Sequence, residues 1–324
     1  MSSTFHEPVR RSRDIPALVS AARAGDARAV ARLVSLVEDA DPCLPSLAAA
    51  LAGPSSAALV GITGSPGVGK STLTNELVRA YRAQGMRVGV LAVDPSSPFT
   101  GGAILGDRVR MQDHATDPGV YIRSMSSRGH LGGLAAATPQ AVRVLEGAGC
   151  EVVIVETVGV GQAEVEVASL ADTTLVLLAP GMGDAIQAVK AGILEVADVF
   201  LVNKADRDGA DATVRDIQGM IALGAREPGD WRPPVVRSVA ARGEGIDDVV
   251  AAITKHRDWL SSQDRLVSRR RRRARAEIEA IALASLRARL GSVDHGASLV
   301  DLSAQVAAGA LDPYAAASRL AASV

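Results

Sequence analysis

The sequence predicts an α/β fold: a mostly parallel sheet covered by helices on both faces, with helical extensions at each end. Three observations carry this. Between about residues 57 and 260, short apolar runs rich in β-branched residues alternate with segments of helical periodicity. Those runs are nearly continuous instead of alternating polar and apolar, as strands buried on both faces must be. Outside that stretch the strand signals stop, and Ala, Leu and Arg at helical spacing take over. The expected organisation is a helical extension over residues 1–55, an α/β domain over 56–260 and a second helical extension over 261–324.

In chain order, Val30, Leu33, Val34 and Val37 share one helical face, and Gly25-Asp26 reads as a stop followed by an N-cap, so residues 14–52 predict a helical pair. Gly53-Pro54-Ser55-Ser56 punctuates the chain. The predicted strands are Ala58–Thr63, Arg87–Val93, Glu151–Glu156, Thr173–Ala179, Val199–Val202 and Val235–Val239. Beyond residue 261, at least two helices break near Gly291 and near Asp312-Pro313.

Composition narrows the function classes. A chain of 324 residues with 48% apolar content can bury a large core without staples. Two cysteines, Cys43 and Cys150, cannot build a disulfide framework, and no Cys/His cluster has zinc spacing. The 35 basic and 36 acidic residues nearly cancel, and aromatics make up 2%, which argues against a nucleic-acid binder. Met1–Arg13 has no apolar stretch of signal-peptide kind, and no run approaches the roughly 20 residues of a membrane span. A cytoplasmic protein is expected. The Arg269–Arg273 run reads as a solvated helix start whose charges pair with acids such as Glu277 and Glu279; a nucleic-acid or acidic-partner patch is the rival reading.

The chemistry begins at Gly64-Ser65-Pro66-Gly67-Val68-Gly69-Lys70-Ser71, which satisfies G-x-x-x-x-G-K-[ST] between a predicted strand and a predicted helix from Thr72. The glycines let backbone N–H groups turn inward around phosphate oxygens, and the helix N-terminus adds its dipole. Lys70 is expected to reach the β- and γ-phosphates and the Ser71 hydroxyl to ligate Mg²⁺. Together these predict a nucleoside-triphosphate site.

Asn203-Lys204-Ala205-Asp206 follows an apolar run, at the strand edge where open α/β sheets bind ligands. The Asp206 carboxylate can accept from guanine N1–H and its exocyclic amine, a donor pair adenine lacks, so guanine is predicted over adenine. Asn203 is expected to bridge the base and the phosphate loop, and the Lys204 stem to lie against the ring.

Two strands end in acids, Asp94 and Glu156. A P-loop enzyme uses such an acid in the Mg²⁺ shell and a following glycine, here Gly159, to sense the γ-phosphate. Asp107, in a Gly-rich stretch, is a further metal candidate, and Gln162 a candidate for orienting the attacking water. Glu156 is one methylene longer than the usual Asp, so it either meets the metal or positions water.

These pieces resemble the MeaB/MMAA-type G-protein chaperones of the adenosylcobalamin-dependent methylmalonyl-CoA mutase system, relatives of which are also called ArgK or LAO/AO transport-system kinases. The matching stretches are Gly64–Thr72, Val93–Arg108, Ile122–Met125, Ser127–Gly133, Glu156–Gln162 and Asn203–Asp206. The resemblance implies a P-loop NTPase of the signal-recognition-particle and MinD-like class. It implies switch I over Asp94–Asp107 and switch II over Glu156–Gln162. A further switch over Gly181–Lys190, with Asp184, Gln187 and Lys190, would face the client. It also implies a homodimer made by the C-terminal helices, and GTP hydrolysis that gates cofactor loading and protects an acyl-CoA mutase. One departure is Ser238-Val239-Ala240, where Ser-Ala-x is more usual; it bears on the backbone contact to the base near Ala240.

The resulting expectation is a slow GTPase using GTP/GDP and Mg²⁺, with Lys70, Asp94, Glu156 and Gln162 as catalytic candidates and the mutase as stimulating partner. The rival is a kinase passing phosphate to a protein or small molecule. A nickel-insertion GTPase is disfavoured because His6, His114, His130, His256 and His295 are scattered.

Overall fold

The computed structural model describes residues 14–94, 113–114, 116–126, 137–157, 162–181, 196–224, 227, 229–290 and 293–322. Three helices open the chain: α1 (Ile15–Arg23), α2 (Ala27–Glu38) and α3 (Leu44–Ala50). Asp26 caps α2 by accepting from the Arg28 and Ala29 N–H groups. The sequence predicts a pair here; the third helix, seven residues or about two turns beginning Leu-Pro, is too brief for periodicity to reveal.

The central strands are β1 (Ala58–Gly64), β2 (Val88–Asp94), β3 (Val120–Ser126), β4 (Val152–Thr157), β5 (Thr173–Leu178), β6 (Val199–Asn203) and β7 (Val235–Ser238). They form one sheet in the order β3-β2-β4-β1-β5-β6-β7, every described pairing being parallel. Six of the strands match predicted runs. The seventh, β3, reads Val-Tyr-Ile-Arg-Ser-Met-Ser; at the sheet edge, it carries polar residues that broke up the apolar signal.

Side chains alternate across the sheet. On one face, α4 (Lys70–Ala83) and α8 (Ile246–Ser261) bury Leu73, Leu77, Val249 and Ile253 against Val60, Ile62, Ile154 and Leu175. On the other, α5 (Thr138–Gly147) and α6 (Gln162–Leu170) join the N-terminal helices over Leu59, Leu91, Val153 and Val155. Near β5 and β6, α7 (Ala210–Leu223) packs Val214 and Ile217 against Val176, Phe200 and Val202. Each such side chain, fully buried, contributes about 1.5–3 kcal/mol. The N-terminal helices thus share the sheet's own core. Arg123 of β3 also donates to Ser35 Oγ at 3.1 Å and pairs with Glu38, tying α2 to the edge strand.

Contact density divides the chain into two units, residues 1–267 and 268–324. The second holds most of α9 (Arg265–Leu290), then α10 (Val293–Ala307) and α11, which begins at Pro313 and runs to Ala322. Arg275 of α9 pairs with Glu279 at 2.9 Å, as a solvated charged helix does. Ile278, Ile281, Leu283 and Leu286 of that helix stand exposed. No described helix is long and apolar enough to cross a membrane.

Candidate nucleotide site

Parallel strands deliver their C-terminal ends to one edge of the sheet, and the phosphate loop after β1, Glu156 of β4 and Asn203 of β6 meet there. The loop after β1 turns on Gly64 (φ 140°), Gly67 (φ 79°) and Gly69 (φ 99°). Two of these glycines answer a close approach as well as a positive φ. A Cβ on Gly64 would sit 2.4 Å from the Leu177 carbonyl oxygen, and one on Gly69 2.4 Å from Asn203 Nδ2. Gly69 is the N-cap of α4 and has no side-chain cap, so the first-turn N–H groups remain available to an anion. Ser65, Pro66 and Gly67 form the outer rim of the loop, with Pro66 and Gly67 exposed, while Val68 anchors it in the core. Thr72 is half-buried in the first turn of α4.

Lys70 is buried, and its Nζ donates to the Gly64 carbonyl at 2.6 Å and the Ser65 carbonyl at 3.0 Å. The ammonium is therefore held inside the loop's curve. Glu156, in register with Ile62 of β1 and Ala92 of β2, stands beside that loop. It too is buried. Ser71 Oγ donates to its Oε1 at 2.6 Å, and Thr74 Oγ1 lies 2.8 Å from its Oε2. A buried carboxylate needs such donors. Sequence reasoning missed Thr74; its place one helical turn beyond Lys70 was the available signal.

A hydroxyl oxygen and a carboxylate oxygen this close offer the hard oxygen donors Mg²⁺ takes. The donor set fits that ion. Asp94 ends β2 in register with Ser126, and Gln162 opens α6, but their side chains lie outside the described residues. So do Asp107, Gly159 and the segment with Asp184, Gln187 and Lys190.

The second half of the site follows β6. Asn203 Nδ2 donates to the Val68 carbonyl at 2.8 Å, which ties it to the phosphate loop. Lys204 adopts a left-handed φ of 56°, and its Nζ donates to the Gly67 carbonyl at 2.7 Å. Its head thus reaches the phosphate loop, a contact additional to the stem packing expected from sequence. Asp206 pairs with Arg242 at 3.1 Å on the open side. β7 brings Ser238 beside Asn203, and Val239 closes a small bridge with Glu244. The Ala240 N–H donates to Asn203 Oδ1 at 3.0 Å, and Ala240 is buried in the turn after β7.

Known proteins give this geometry its context. The family model described as methylmalonyl-CoA mutase-associated GTPase MeaB matches residues 30–294. A Pyrococcus abyssi protein named as a GTPase is 46% identical over 307 residues, 94% of each chain. The Escherichia coli GTPase ArgK is 37% identical over 272 residues, 82% of this chain and 79% of its own. A crystal structure described as LAO/AO transport system kinase superposes with a TM-score of 0.71 at 26% identity, over 98% of each chain. With a complete phosphate loop, a guanine-type base loop and these relatives, the chain belongs to the MeaB family of methylmalonyl-CoA mutase-associated GTPases.

Proposed function

We propose that this GTPase acts as a nucleotide-gated chaperone for an adenosylcobalamin-dependent acyl-CoA mutase of the methylmalonyl-CoA type, in the cytoplasm. GTP turnover gates cofactor loading and protects the client. The observation that carries the reading is the hold of Glu156 on Ser71. It links the phosphate loop directly to the end of β4, from which residues 158–162 continue.

Lys70 and the N-terminal N–H groups of α4 bind the phosphates, and Asp206 selects guanine. Ser71, Glu156, Asp94 and Asp107 are the residues that would hold Mg²⁺, with Gln162 orienting water. The metal, when bound, would neutralise charge on the transferred phosphoryl group. Asp94–Asp107, Glu156–Gln162 and Gly181–Lys190 are the segments read as switches. The apolar residues of α9 left uncovered, Ile278, Ile281 and Leu286, support a homodimer through the C-terminal helices.

The test measures GTP hydrolysis with and without a purified adenosylcobalamin-dependent mutase, alongside a pull-down with a non-hydrolysable GTP analogue. Unassisted turnover should be on the order of 10⁻⁴ to 10⁻² s⁻¹, with a large rise on adding the mutase. Lys70→Ala supplies the inactive control. A rate unmoved by any mutase, with none captured, would sink the chaperone role. The kinase reading, suggested by the name of the superposed crystal structure, requires a stable phosphorylated acceptor from labelled GTP.

A further inference from the structure

Glu156 is gripped by two hydroxyls from the same helix. Ser71 and Thr74 stand three residues apart on α4, hence on one face, and each addresses a different carboxylate oxygen. Thr74 is fully buried. Its Oγ1 also lies 3.1 Å from the Lys70 carbonyl, but a hydroxyl has one proton, and a charged carboxylate is the stronger acceptor. The need for a second donor follows from the residue at 156. A glutamate carries one more rotatable bond than an aspartate, and its terminal torsion is broad. Ser71 addresses Oε1, and a contact to one oxygen does not by itself set the plane of the group. A second donor on Oε2 sets the plane of the group.

We propose that Thr74 is a positioning residue: its hydroxyl holds Oε2 of Glu156 so that Oε1 stays aligned with Ser71, on the side where the metal and phosphates belong. This deepens the GTPase reading and rests on it. A purely structural alternative exists, since threonine hydroxyls commonly bond the carbonyl four residues earlier in a helix. The two make different predictions for turnover and for the Mg²⁺ contribution to nucleotide binding.

The experiment compares wild type, Thr74→Val and Thr74→Ser in the full chain, at a temperature where circular dichroism shows all three folded. It reads kcat and KM for GTP hydrolysis. By calorimetry it also reads the factor by which Mg²⁺ tightens GDP binding relative to EDTA. Losing one hydrogen bond to a carboxylate should lower kcat about 10- to 100-fold in Thr74→Val, with KM within about threefold. The Mg²⁺ factor should fall with it, and Thr74→Ser should recover most of both. Should the valine variant not fold, Thr74→Ala deletes the same hydroxyl without the added bulk. Valine and serine variants that behave alike would overturn the proposal. So would a GDP affinity that drops equally with and without Mg²⁺. A wild type that binds no guanine nucleotide fails the underlying reading instead, and that arm is read independently.

Discussion

Asn203 joins three loops: its Nδ2 donates to the Val68 carbonyl at 2.8 Å, while its Oδ1 accepts from Ser238 Oγ at 3.1 Å and from the Ala240 N–H at 3.0 Å. The residue is buried, so every one of its polar atoms faces protein. The base loop, the phosphate loop and the turn after β7 are therefore tied together through one side chain. Asn203→Ala should cost roughly 2–4 kcal/mol of stability, because it strands buried donors and acceptors. It should also weaken GDP binding by at least about tenfold. Calorimetry and denaturant titration measure the two effects; unchanged affinity would remove the joint from nucleotide binding.

Asp206 sits 3.1 Å from Arg242, so its carboxylate is held at the open side of the site. Asp206→Asn replaces one acceptor oxygen with a donor amide and should shift preference from guanine to xanthine nucleotides. Competition between labelled GDP and XDP reads this directly. A variant that keeps guanine preference would show that another group reads the base.

Arg82 and Asp117 form a two-bond pair at 2.8 and 2.9 Å that ties α4 to the turn before β3. The Arg82 guanidinium, then the Gly119 N–H, hold the Asp117 carboxyl below the ordinary aspartate value. A depressed value means the stabilisation is present above about pH 3.9, the unfolded value, and is lost as pH falls through the lower folded value. Asp117→Asn should cost roughly 1–2 kcal/mol near pH 7 and progressively less in acid. Urea unfolding at pH 7 and pH 3 checks the sign; an equal deficit at both would refute it.

Cys150 is buried, and burial pushes its thiol up to about 12. The neutral thiol is thus the stable form at pH 8, and only the thiolate is a good nucleophile. Its contribution to stability is complete below the ordinary thiol value and declines as pH climbs toward 12. An aromatic disulfide reagent should modify half-buried Cys43 first and reach Cys150 only when the chain opens. Fast modification of both in the folded protein would contradict this packing.

The sequence alone determined the parts that depend on local chemistry. A parallel strand must be apolar along its length, so six strands could be read directly. A loop that turns its N–H groups inward around phosphate needs glycines at positive φ, so Gly64 and Gly69 could be read as well. Tertiary structure decided what no local pattern encodes. At the sheet edge, β3 tolerates Arg123 and Ser124 because only one side of it pairs, and its alternation hid it. Thr74 looks like any helical threonine until β4 is laid beside α4. Likewise, Asn203 meets Val68 only because the order β1-β5-β6 sets two distant strand ends at one edge. Hydrogen bonds act over about three ångströms, and which groups come that close is a property of the folded sheet.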